Sequence, residues 1–337
     1  MRYYLAKDMR ANLSLAIRVS CRPIFLSTHE QLGFDKKRDP VLGGFMGHIL
    51  KVDLTRARIR KQKLNEELYR KWFGGYGLGV RIVYGDITPK TEPLGPGNII
   101  GLTTGVLTGT LVPLSGSFTA VGKSPLTGAW NDSRCGGFFG PMLKKAGADA
   151  VFITGKAPRP VYVWISNNEA RIMDASEVWG KTTSETEKIL KQRHGRKVQI
   201  TSIGPSGEML SRISGITHDR GRTAARGGLG AVVGSKNLKA VAVIGDNEIP
   251  VADLGNLKEL RRSFVDLVKS SWAYWAYGKY GTTGPVEAFA LIGESPIRNW
   301  AGVGVEEFGN SEKIGSESIY RYVVRSYGCW GCPINCG

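Results

Sequence analysis

Three cysteines within the last nine residues, Cys329, Cys332 and Cys336, constrain this chain more than any other feature. Their C-x2-C-x3-C spacing leaves two or three residues between successive thiols. A loop that short can wrap one metal cluster corner by corner, each thiolate taking a different metal. A structural zinc site needs a second pair of ligands at a matching spacing. The four histidines, His29, His48, His194 and His218, lie far upstream and offer none. Pro333, directly after the second cysteine, stiffens the turn. A cubane cluster takes four protein ligands, so one remains to be found. Cys21 and Cys135 are the candidates within the sequence, and a residue beyond Gly337 is the expectation. Secreted disulfide scaffolds spread even numbers of cysteines along a short chain, whereas a tight cluster like this indicates metal binding in a reducing cytoplasm.

The formal net charge of +17 over 337 residues asks for a polyanionic partner: nucleic acid, membrane phosphates or a phosphate-bearing cofactor. The basic residues are spread along the chain without a long tract or a recognisable nucleic-acid module, which speaks against nucleic acid. No apolar run approaches the roughly 18 residues that span a bilayer. The nearest, residues 11–26, is broken by Arg18, Arg22 and Pro23. Neither nucleic acid nor membrane is therefore expected as a partner.

Residues 1–45 carry eight Lys/Arg against four Asp/Glu and show no clear period. They read as an N-terminal extension: a targeting leader, or more simply a start codon placed too early, with Met46 opening the structured chain. From there the pattern is regular. Residues 48–54, 98–102, 117–121, 150–154, 161–165, 198–203, 210–216 and 238–244 are predicted strands. Helices are predicted at 66–73, after the capping residue Asn65, and at 138–146 and 183–193. Strands dominate without a βαβ rhythm, so the fold class is α+β with largely antiparallel sheets. A boundary near residues 246–252 separates this domain, 46–248, from a helical region, 252–337, with helices at 254–269 and 318–326.

Two further motifs carry chemistry. Arg220-Gly-Arg-Thr-Ala-Ala-Arg-Gly-Gly-Leu-Gly230 combines glycines, which let backbone N–H groups approach an anion, with forked arginine donors. It lacks the spacing of a Walker A loop and the strand context of a dinucleotide fold. Taken alone it is a phosphate-binding loop or a tight turn with solvated arginines. Upstream, Lys123-Ser-Pro-Leu-Thr-Gly128 precedes Asp132-Ser-Arg-Cys-Gly-Gly-Phe-Phe-Gly140. There two glycines open a predicted helix and suit close approach to a ligand. Cys135 beside them reads as a small buried filler rather than a reactive thiol.

Together these segments resemble the tungsten-containing aldehyde:ferredoxin oxidoreductase family. Its members carry, in this order, a KSPLTG segment, a GG-aromatic-FG turn, an R-x3-RGG-x-GAV-x-GSKNLKA segment and the C-x2-C-x3-C cluster. The resemblance runs from about Met46 to the last residue. It implies a saddle of two β-sheets carrying a tungsten bis-pterin (molybdenum in rarer members), with helical domains closing over it. It further implies a [4Fe–4S] cluster on Cys329, Cys332 and Cys336, ferredoxin as electron acceptor and an aldehyde as substrate. Arg134, Gly136, Arg222, Thr223, Ala225 and Arg226 fall at pterin-contacting positions of the family. The backbone carbonyls of Arg134 and Thr223 fall where magnesium bridges the two pterin phosphates.

Two positions depart from the family pattern. Arg134 stands where asparagine is usual, and Ser117 where the family has an arginine between pterin and cluster. Family members continue well past the cluster, so a catalytic base is not assigned. The expectation is a chain that is incomplete and inactive alone, completed in a homodimer or by a second polypeptide. A non-catalytic remnant and a benzoyl-CoA-reductase-type subunit are the alternatives.

Overall fold

The runs that are apolar at consecutive positions become the middle of two sheets. In the computed structural model, which describes residues 43–167 and 169–337, the first sheet contains β1 (His48–Asp53), β2 (Arg58–Lys63), β3 (Ile100–Thr104), β4 (Phe118–Lys123), β5 (Trp130–Cys135) and β6 (Ala150–Thr154). Their order is β2-β1-β6-β3-β4-β5. The second contains β7 (Val161–Ser166), β8 (Glu169–Asp174), β9 (Gln199–Ser202), β10 (Ile216–His218), β11 (Arg222–Ala224) and β12 (Leu238–Ile244), ordered β11-β10-β9-β12-β7-β8. Each sheet is antiparallel except for one parallel pair, β1 with β6 and β7 with β12.

Strand residues of alternate parity go to different cores, as the two-residue period of a strand requires. On β6, Val151 and Ile153 face a core shared with Val241 and Val243 of β12. Ala150 and Phe152 face the other way, toward α1 (Glu66–Trp72) and α2 (Gly75–Asp86). On β12, Ala240 and Ala242 pack outward with Leu190 of α4 (Thr183–His194). The layers are therefore helix, sheet, sheet, helix. Burial on both faces explains why these strands read as unbroken apolar runs. Two short helices, α3 (Phe139–Lys145) and α6 (Leu229–Ser235), plug the shared core with Phe139, Leu143, Leu229 and Val232, and the single turn α5 (Pro205–Glu208) packs against α6.

After residue 250 the chain is helical: α7 (Leu254–Lys269), α8 (Trp272–Tyr280), α9 (Val286–Leu291), α10 (Gly304–Glu307) and α11 (Ser316–Tyr320). None of the residues of α7 is buried, although Leu260, Phe264 and Leu267 form one apolar side. The strand expected at 210–216 is displaced: residues 212 and 213 form a turn with irregular backbone on either side, and β10 begins at Ile216. The helix expected at 318–326 spans only Ser316–Tyr320. Most of the N-terminal extension, including Cys21, lies outside the described residues. Phe45, at its end, packs on Tyr69 in a tilted arrangement with ring centroids 4.1 Å apart. Among the described residues no helix is long and apolar enough to cross a membrane.

Candidate functional site

The expected site residues converge where the edge strands β5 and β11 of the two sheets meet. Arg226 donates its backbone N–H to Ser133 Oγ at 3.1 Å, and its carbonyl accepts from Asn131 Nδ2 at 3.0 Å. Ser124 Oγ, in the KSPLTG segment, donates to the Gly227 carbonyl at 2.7 Å. These bonds sew the arginine segment to β5, so Arg134 and Gly136 share a seam with Arg222, Thr223, Ala225 and Arg226. Arg134, Ala225 and Arg226 are exposed there, while Gly136, Arg222 and Thr223 are half-buried. The Gly-rich segment 220–230 is not one loop: it closes the β10–β11 hairpin, forms β11, turns, and enters α6. Gly228 makes that turn at φ 71°, with no space for a side chain beside the Arg212 carbonyl.

The cysteine segment lies against the same seam. Trp330 donates its backbone N–H to the Gly137 carbonyl at 3.1 Å, and its indole Nε1 donates to the Thr110 carbonyl at 3.3 Å. A Cβ on Gly136 would sit 2.7 Å from Cys329 Sγ, and one on Gly116 would sit 2.9 Å from the Trp330 amide. Glycine at these two positions is what lets the cysteine loop reach the sheet edge. The close approach read from Gly136 is thus made by the protein's own sulfur.

Arg222 bridges strand and loop. Its guanidinium carbon lies 4.4 Å from the Tyr327 ring centroid, and Nη2 donates to the Tyr327 carbonyl at 3.4 Å. Nε donates to Asp219 at 3.3 Å. Burial opposes the guanidinium charge, but Cys329, Tyr327 and Asp219 outweigh it and hold its pKa above the usual arginine value. Burial likewise pushes the Cys329 thiol up, opposed by Arg222 and by a backbone hydrogen bond from Gly137. Arg226 has no ion-pair partner among the described residues, and its side chain is open to solvent. The two arginines expected to act alike are therefore unlike: Arg222 is tethered and Arg226 is free.

Cys135 is buried, and burial pushes its thiol up to about 12, as suits a filler rather than a nucleophile. Ser117 places its carbonyl under Thr108 Oγ1 at 3.2 Å and presents no cation to the seam. Cys329, Cys332 and Cys336 are half-buried, unbridged, and near enough for the latter two to influence the first. Among the described residues no three His, Cys, Asp or Glu side chains converge tightly enough for a single ion. A cubane does not need that convergence, because each thiolate takes its own iron corner. The donor set fits such a cluster: soft thiolates, a glycine cradle, a nearby guanidinium and a backbone N–H to sulfur. A cavity of 430 Å³ lined by Lys51, Arg56, Arg58 and Arg60 lies at the opposite edge of the first sheet and takes no part.

The family model for "Aldehyde ferredoxin oxidoreductase, N-terminal domain" matches residues 49–245, and that for "domains 2 & 3" matches 259–337. This chain belongs to the aldehyde ferredoxin oxidoreductase family. It is 43% identical over 296 residues to the tungsten-containing aldehyde ferredoxin oxidoreductase of Pyrococcus abyssi, covering 87% of this chain and 48% of that protein. The Thermococcus kodakarensis enzyme of the same name is 39% identical, over 87% and 49%. A WOR-like subunit of an aliphatic sulfonate oxidoreductase from Pyrococcus furiosus is 33% identical over 311 residues, again 87% and 49%. Among solved structures, the active site complex of benzoyl coenzyme A reductase with 1,5-dienoyl-CoA superposes with a TM-score of 0.72 at 27% identity. It covers 87% of this chain and 47% of that one. The chain spans about half the length of the curated relatives it matches.

The sequence reading missed four residues of this seam: His218, Gly116, Tyr327 and Trp330. For three of them no local pattern exists, since each acts on a segment distant in the chain. Trp330 lies inside the cysteine motif and was legible as loop, not as the anchor it is.

Proposed function

We propose that this chain contributes the cofactor-bearing half of a tungstopterin enzyme that oxidises aldehydes to carboxylates and reduces ferredoxin. One observation carries the reading: the β5–β11 seam brings Arg134, Gly136 and the Arg222–Arg226 segment into one place, directly beside Cys329. When bound, tungsten between two pterin dithiolenes supplies two-electron exchange with the substrate, and a [4Fe–4S] cluster passes those electrons on singly. The chain's own residues bind and orient. Arg226 reaches solvent beside the seam and offers a forked donor to phosphate. Arg134 adds a second cation on the facing strand. Thr223 and Arg134 lie on sheet edges, where alternate backbone carbonyls have no ladder partner, and hard oxygen donors of that kind suit magnesium. Arg222, tethered between Asp219 and Tyr327, sets positive charge beside the Cys329 thiolate. Cys329, Cys332 and Cys336 would hold three cluster corners, and a further polypeptide segment the fourth. The domain boundary near 246–252 separates these two duties. The likeness to the benzoyl coenzyme A reductase complex favours a second reading, a subunit working on a thioester substrate within a multi-subunit assembly.

Metal and pterin analysis tests the proposal. Chain produced anaerobically in a tungstate-supplied, pterin-synthesising host, together with the polypeptide that completes its site, should carry iron, tungsten and pterin. Arg226→Ala should lose most of the pterin while keeping iron. Stoichiometric zinc without iron overturns the cluster assignment, and pterin content unchanged by Arg226→Ala overturns the phosphate clamp.

A further inference from the structure

Helix α3 begins without a local cap. Its N-cap, Phe138, has no accepting side chain, and the residues before it are Gly136 and Gly137. The first backbone N–H groups of such a helix are orphan donors. Here they are taken by a residue from the other sheet. Phe138 and Phe139 both donate their N–H to Nε2 of His218, at 3.0 and 3.1 Å. A ring nitrogen that accepts from two amides must present its lone pair, so the proton sits on Nδ1, which donates to the Ile200 carbonyl at 2.8 Å. His218 is 2% exposed, and this burial also disfavours the imidazolium. Phe118 and Phe139 hold the ring edge-on. A Cβ on Gly137 would meet it at 2.6 Å.

The opposite side of the same turn grips the cysteine loop. The Gly137 carbonyl takes the Trp330 N–H, the Gly137 backbone lowers the cost of charge on the Cys329 sulfur, and Gly136 lies against that sulfur. Trp330 and Tyr327 tie the loop elsewhere, to Thr110 and to Arg222, but the backbone that lies directly against the Cys329 sulfur is that of residues 136 and 137, and His218 fixes the turn they belong to.

We propose that His218 is a positioning residue for the cysteine loop, its neutral imidazole pinning the residue 136–139 turn by two amide hydrogen bonds and so setting where Cys329 points. The inference rests on the reading of Cys329 as a cluster ligand and adds the residue that orients it. A ring that merely fills the core would be replaceable by another ring. A positioning acceptor is not.

The test uses the full chain in metal-free and iron-loaded forms. In the metal-free chain, the rates at which a neutral maleimide labels Cys329, Cys332 and Cys336 are measured separately by mass spectrometry. His218→Phe keeps a ring and removes the acceptor; His218→Gln keeps an acceptor. His218→Phe should raise Cys329 labelling relative to the other two by about fivefold, which corresponds to about 1 kcal/mol, the net worth of one neutral hydrogen bond. His218→Gln should restore most of the wild-type ratio. In the iron-loaded chain, His218→Phe should shift the cluster's electron paramagnetic resonance signature. An unchanged ratio in His218→Phe, or an equal rise in both variants, overturns the proposal. If His218→Phe does not fold, His218→Met replaces it in the same comparison. Failure of the wild-type chain to load iron in the presence of the polypeptide that completes its site would overturn the cluster reading alone, because the labelling ratio decides the positioning role without metal.

Discussion

Gly136 and Gly137 are neighbours with opposite constraints. Gly137 has φ 106° and its Cα faces the His218 ring, so a side chain there meets both backbone strain and a clash. Gly136 has ordinary backbone, and only the Cys329 sulfur stands in the way. Gly137→Ala should therefore destabilise the fold by about 2–4 kcal/mol, strain and overpacking together. Gly136→Ala should cost about 1 kcal/mol and act mainly by displacing Cys329. Urea unfolding of both variants checks the first pair of values, and Cys329 labelling in Gly136→Ala checks the displacement. At this scale the sequence was half legible. Paired glycines before a helix mark a close approach, but nothing in the local pattern says that the approaching atom is a sulfur from far down the chain. His218 was illegible for the same reason: its partners are backbone amides, which every residue has. The missing cap at Phe138 was the one available sign that a distant acceptor had to exist.

Legibility at the element scale follows position in the sheet. The eight interior strands, β1, β3, β4 and β6 in one sheet and β7, β9, β10 and β12 in the other, all stand at or near expected runs. The four that were not foreseen, β2, β5, β8 and β11, are the four sheet edges. Interior strands bury both faces and announce themselves by apolar runs; edges face water and do not. In β2, Arg-Ile-Arg-Lys-Gln-Lys, only Ile59 packs inward. The candidate site is built on two of these edges, β5 and β11, so its motifs were visible as chemistry before they were visible as strands. Helix α4 shows the converse, an element whose start is written locally. Thr182 Oγ1 accepts from the Glu185 N–H at 3.3 Å, and the Glu185 carboxylate accepts from the Thr182 N–H at 2.9 Å. That reciprocal box satisfies two donors, and Glu185 is held below the usual carboxylate range mainly by its bonds to Thr182. Thr182→Ala should lower stability by about 1 kcal/mol in urea unfolding, whereas Thr182→Ser should lose little.

Across the whole molecule, buried lysines tie the layers together through backbone carbonyls. Lys144 of α3 donates to Gly105 at 2.6 Å, to Val106 at 3.1 Å and to Gly44. Lys236 donates to Asn98 at 2.6 Å and to Gly155 at 3.3 Å, joining the second sheet to loops of the first. Lys239 pairs with the nearly buried Glu208. Carbonyl cages satisfy the ammonium hydrogens but supply no full counter-charge, and burial pushes Lys144 and Lys236 each down to about 8. The sign of the pH dependence follows from linkage. Between pH 8 and the unfolded value of 10.5, the unfolded chain binds more protons at these two sites than the folded chain does, so stability rises with pH. Below pH 8 both states are protonated, and these lysines contribute no slope. From pH 8 to 10 each should add about 2 kcal/mol, reduced to the extent that the carbonyls hold the charged form. The urea midpoint should accordingly climb over that window. Lys236→Met, which cannot titrate, should show about half the climb, since Lys144 remains. A wild-type midpoint that is flat or falling from pH 8 to 10, with Lys236→Met parallel to it, would mean that the carbonyl cages keep both ammonium groups charged, and that these lysines act as fixed struts between the sheets rather than as titrating groups.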